Sequence, residues 1–157
     1  MAKSISILGI VISTIGIFFG FFYLGKYPLL PIKIVTFTTV GIVGILGFVR
    51  HFIFHKSDAE RLGWETDRPD WMFEVGFANL AFGFMGILSV IADFGMLSYV
   101  LILLGYSLYL FQAAMLHLYR YFTDEKKPPA RLWRSVLLTL LYVGMMTFFA
   151  INGLLKH

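Results

Sequence analysis

A chain of 157 residues that is 59% hydrophobic and only 14% charged is too apolar for a soluble domain and reads as an integral membrane protein. It has no Cys, which excludes disulfides, thiolate metal sites and thiol nucleophiles and leaves His, carboxylate and hydroxyl chemistry. The net charge of +4 does not point to nucleic acid, because the basic residues lie at the ends of apolar runs and form no stripe with interleaved aromatics.

Crossing a bilayer takes about 20 apolar residues as a helix. Taken in chain order, five runs meet that need, at about residues 4–25, 32–54, 71–92, 94–119 and 132–155. The first has a basic start like a signal peptide, but its apolar run continues through "TIGIFFGFFYLG" without a small-residue cleavage site, so it is expected to be a span. The second carries Arg50 near its end, which must snorkel or find a partner. It is followed by the longest polar segment, His55 to Asp70, which holds five of the nine acids. Within that segment Ser57-x-x-Glu60 has the form of a capping box and Gly63 that of a helix end, which predicts a short surface helix at Asp58–Leu62, with Trp64 and Trp71 at the headgroup level. Spans three and four are separated by so few residues that they must form a tight hairpin turning at Asp93-Phe94-Gly95. Pro128-Pro129 stops span four and starts span five.

The expected architecture is therefore an all-α integral membrane bundle of about five transmembrane helices in one domain over residues 1–157. Ten Lys and Arg fall on the side of the N-terminus, the second loop and the fourth loop, against three on the other side. The positive-inside rule then puts the N-terminus in the cytoplasm, and the protein is expected in the cell's inner membrane. Gly16-x-x-x-Gly20, the set Gly41, Gly44 and Gly47, and the stripe of Gly76, Asn79, Gly83 and Gly86 allow close helix approach, with Asn79 as interhelical glue.

Glu74 projects from a different face of span three, at the same membrane level as Arg50, His51, His55, His117 and Arg120. That level has three readings. One is interfacial anchoring, with Glu74 paired to an Arg. Another is a ligand pocket between spans two, three and four, built on Glu74, Asn79, His117, Arg120 and Arg50 and lined by aromatics such as Phe73, Phe77, Tyr106 and Tyr119. The third is a metal or b-type haem site on His51, His55, Glu74 and His117, since His51-x-x-x-His55 has metal-ligand spacing, while Asp58 and Asp70 are set aside as loop residues. No G-x-S-x-G elbow, phosphate loop or dinucleotide fingerprint is present.

The run "FEVGFANLAFGFMGILSV", preceded by "GFVRHFIFH" and followed by a span ending in "AAMLHLYRYF", resembles an uncharacterised family of small prokaryotic integral membrane proteins known by a domain of unknown function. The likeness falls on Glu74, Gly76, Phe77, Ala78, Asn79, Leu80, Gly83, Gly86 and His117 and covers roughly positions 45 to 122, with Leu116 where the pattern has Gly. It implies a multi-helix membrane fold and no reaction. The favoured reading is a small-molecule or lipid-binding membrane protein, or a subunit of a membrane complex. The alternative is a His/Glu metal- or haem-dependent membrane enzyme. The expected partners are the lipid bilayer and either further copies of the chain or a larger complex.

Overall fold

The structure is a computed structural model that describes residues 1–63, 67–125 and 132–155. All regular structure among these residues is helical. Five helices are long and apolar enough to cross a membrane: α1 (Ala2–Tyr23), α2 (Leu30–Ile53), α4 (Asp70–Ile91), α5 (Met96–Thr123) and α6 (Trp133–Leu155). A shorter helix, α3 (His55–Leu62), lies between α2 and α4. The N-terminus, α3, the end of α5 and the start of α6 share one side of the bundle, called here the basic side. The turns after α1 and α4 are on the opposite side. Trp64, Pro128 and Pro129 lie outside the described residues.

Local chemistry sets the helix limits. Pro31 occupies the first turn of α2, where its missing N–H costs nothing. Gly63 ends α3 with φ of 67°, the left-handed conformation that glycine adopts freely. The α4–α5 hairpin turns where expected, with Asp93 at φ 52° and Gly95 at φ 89°. Lys33 Nζ is 2.8 Å from Asp93 Oδ1, and the Tyr99 hydroxyl donates to the same oxygen at 2.6 Å, so one carboxylate ties together the ends of α2, α4 and α5 that lie opposite the basic side. These two donors hold the exposed Asp93 carboxyl below its usual range.

Two expectations for the basic side are corrected. The surface helix begins at His55, not at Asp58, and Ser57 is inside it, so the capping box does not form. Ser57 Oγ instead accepts from the Ala2 N–H at 3.4 Å and the Met1 ammonium at 3.5 Å, tying α3 to the start of α1. Nor is α2 a uniform α-helix. Thr36–Ile42 and Val49–Ile53 are π-helical, as is Trp133–Leu138 at the start of α6.

Packing follows the glycines. A Cβ built on Gly44 would fall 2.7 Å from the Asn79 backbone oxygen and from Gly83 Cα, and one on Gly86 would fall 2.8 Å from the Gly41 nitrogen, so α2 and α4 meet almost backbone to backbone. On the far side of α2, Gly16 and Gly20 of α1 face Thr38 and Val35. Tyr99, Leu103, Tyr106, Met146 and Phe149 are fully buried and join α5 and α6 to α2. Large apolar side chains such as Phe18, Phe84, Leu101 and Leu141 remain exposed, as lipid-facing positions should.

Candidate functional site

The polar groups of the basic side converge on Asp58. Its side chain is completely buried, because α3 is amphipathic and turns Asp58, Ala59 and Leu62 onto the bundle. Oδ1 accepts from Arg61 Nε at 3.0 Å and from a terminal nitrogen of the same guanidinium at 2.7 Å. Oδ2 faces His51 Nδ1 at 2.9 Å, bent away from a straight hydrogen bond, and Arg50 Nε at 3.6 Å. A terminal nitrogen of Arg50 lies 2.7 Å from His51 Nε2. A guanidinium can only donate, so Nε2 accepts and the ring proton belongs on Nδ1, toward the carboxylate. Burial pushes the Asp58 carboxyl up, but the His51 contact and the charges of Arg50 and Arg61 outweigh it and hold the group below the usual carboxylate range.

Beside this cluster lies a cleft of about 610 Å³, bordered by α1, α2, α4, α5 and α6 with α3 at one end. Its walls are apolar, with Ile10, Ile17, Val43, Leu46 and Leu110 among them. Near mid-membrane it meets a hydrogen-bonded group centred on Asn79. The Asn79 amide donates to Val75 O at 2.8 Å and to the Tyr109 hydroxyl at 3.0 Å, while its oxygen accepts from the Tyr106 hydroxyl at 2.9 Å. Tyr142 of α6 donates to Thr39 O at 2.6 Å and accepts from Ser13 at 3.3 Å, which links α6, α2 and α1 around the same space. At the basic end the cleft is lined by Arg50, His51, Arg61, His117 and Arg134.

The π-helical turns contribute directly to this lining. Arg50 and His51 lie in one of them and Arg134 in another. A wider turn narrows the angle between neighbours, so the consecutive residues Arg50 and His51 both reach the cleft. Such turns also break the α-helical spacing on which the His51/His55 pairing depended. The backbone bends at Phe54 (φ −106°, ψ 30°), and His55 becomes the first residue of a separate helix. Its Nδ1 is 3.0 Å from Phe52 O, and its ring meets Phe73 edge-on at 5.1 Å.

Of the residues singled out from the sequence, Arg50, His51, Asn79 and His117 line the cleft. Glu74 is exposed on α4, does not line the cleft and makes no ion pair among the described residues. Arg120 sits 3.4 Å from Asp124 at the surface. Tyr106 is in the cleft wall, whereas Phe77 and Tyr119 point outward. Among the described residues no three His, Asp or Glu side chains are grouped as a metal ion would require. The ring nitrogens of His51 face other side chains, Nδ1 the Asp58 carboxylate at 2.9 Å and Nε2 the Arg50 guanidinium at 2.7 Å. Sequence reasoning passed over Asp58, Arg61, Tyr109, Arg134 and Tyr142. A signal existed for the first two: Asp58 and Arg61 stand three apart on a short helix whose Ala59 and Leu62 mark the face turned to the bundle.

Residues 4–152 match the model of a family of unknown function, DUF6790. The chain belongs to that family. The DUF6790 match takes in all or nearly all of each of the five long helices, a wider stretch than the central motif on which the sequence resemblance rested. No curated protein and no solved structure matches the chain.

Proposed function

We propose that this protein binds an amphiphilic small molecule or lipid in the cleft between α1, α2, α4, α5 and α6, as a multi-pass protein of the inner membrane with its basic side in the cytoplasm. One observation carries the binding reading: a cleft of about 610 Å³, within the 300–1,000 Å³ usual for ligand sites, joins apolar walls to a cationic end inside a membrane-spanning bundle. An acyl or other apolar tail fits the walls, and a polar head fits the Arg/His end. The orientation rests on the excess of Lys and Arg on that side.

Gly9 offers a way to test the cleft. It lines the cleft, and a Cβ built there meets only Leu46, at 3.9 Å. Gly9→Phe should therefore place a ring in the cleft without disturbing a helix contact, and Ala113→Phe should do the same from α5. Native mass spectrometry of wild-type protein released from mild detergent is expected to show a retained lipid-sized adduct that both variants lose while keeping their helical circular dichroism. Adducts of equal abundance in all three proteins would refute cleft binding.

A further inference from the structure

We infer that the head of the cleft ligand is a phosphate, carried on a membrane lipid. The inference rests on the proposed amphiphile binding and concerns the charge the site leaves uncompensated. Arg50, Arg61 and Arg134 line the cleft, each from a different helix, and no Asp or Glu among the described residues does. Asp58, behind the wall, offsets one of these charges through Arg61 and reaches Arg50 only at 3.6 Å. Arg134 has no carboxylate partner among the described residues. Arg50 Nε is buried without a hydrogen bond.

Excess cationic charge in a low-dielectric setting is costly unless an anion enters with it. The shape of the donors then selects the anion. The donors left over after the Asp58 and His51 contacts, the Arg134 guanidinium and the remaining nitrogens of Arg50 and Arg61, come from three helices and suit an acceptor with oxygens pointing in several directions, which a phosphate provides and a carboxylate, with two coplanar oxygens, does not. His117 adds an imidazole to the same lining. The apolar walls, running from this end toward Ser13 and Tyr142, select a lipid-borne phosphate over a free one.

The test uses purified full-length protein, stripped of lipid in detergent, with binding followed by thermal shift and native mass spectrometry. The additives are dioleoyl phosphatidic acid, dioleoylglycerol, oleic acid and inorganic phosphate. Phosphatidic acid is expected to bind at least about tenfold more tightly than the other three. Arg134→Gln, which strands no carboxylate, is expected to abolish that preference while Arg134→Lys keeps part of it, with unliganded stability lowered in neither. Equal binding of dioleoylglycerol and phosphatidic acid, lost in Gly9→Phe, would overturn the phosphate head and leave amphiphile binding standing. Oleic acid binding as well as phosphatidic acid would assign the head to a carboxylate and overturn the inference. Inorganic phosphate binding as tightly would overturn the lipid source. Binding of none of the four would overturn the inference and count against cleft binding as well.

Discussion

Asp58 is buried between two guanidiniums and an imidazole, so its removal does more than delete contacts. Asp58→Ala leaves Arg50 and Arg61 facing each other without an anion, and a buried charge stripped of its partner typically costs about 3–5 kcal/mol. Urea or thermal unfolding in detergent should show that loss, with α3 the first element to become susceptible to protease. The same residue sets an acid limit. Its carboxyl titrates lower in the folded protein than the value of about 3.9 expected when unfolded, so the native state binds fewer protons. The stabilisation is complete above the unfolded value and is lost as pH falls through the folded one. Wild-type protein is expected to lose stability progressively below about pH 4, and Asp58→Asn, less stable at neutral pH, should lack this component. Nothing at the level of residue type separates Asp58 from the other acids of its segment; only the turn of α3 onto the bundle does. Glu74 shows the converse, an acid inside an apolar run that the fold leaves exposed.

Among the elements, the small-residue faces of α1, α2 and α4 were legible as glycines at helical spacing, whereas the pairing of α2 with α4 became visible only in the fold. Gly44→Ala would drive a methyl into Gly83 and the Asn79 carbonyl, neither of which is a flexible side chain. A cost of about 1–3 kcal/mol is expected from such overpacking. Gly144→Ala on α6 meets nothing within 4 Å and should raise stability slightly, by up to about 1 kcal/mol, through helix propensity. Parallel melting curves of the two variants would check both signs. The π-helical turns could not be read in advance. They depend on how α2 and α6 fit their neighbours, and Val49–Ile53 has no Pro or Gly to announce a departure from α geometry. That is why two histidines four residues apart were expected on one helix face and are found on two helices.

For the molecule as a whole, five apolar runs translate into five spanning helices because backbone polar groups in lipid must be satisfied within each segment. The cleft was less legible, since it draws on α1 and α6, whose sequences declare little beyond apolarity. The absence of Cys makes the proposed orientation simple to examine, because any introduced thiol is unique. Glu60→Cys on α3 and Phe94→Cys in the opposite turn should react with a membrane-impermeant maleimide from different sides. In intact cells Phe94→Cys is expected to label and Glu60→Cys only after permeabilisation; the reverse pattern would invert the proposed topology.

The Asp93 tie has a mechanical consequence. With Lys33 and Tyr99 fastened to one carboxylate, and Phe21 of α1 packed on Phe148 and Phe149 of α6 at 5.3 and 4.8 Å, the helices are pinned at the ends opposite the basic side. At the other end Asp58 holds Arg50 and Arg61 together, while Arg134 on α6 shares no such tie among the described residues. Any small rotation of α6 about the pinned end would therefore be largest at Arg134 and would change its distance from the Arg50 and Arg61 pair.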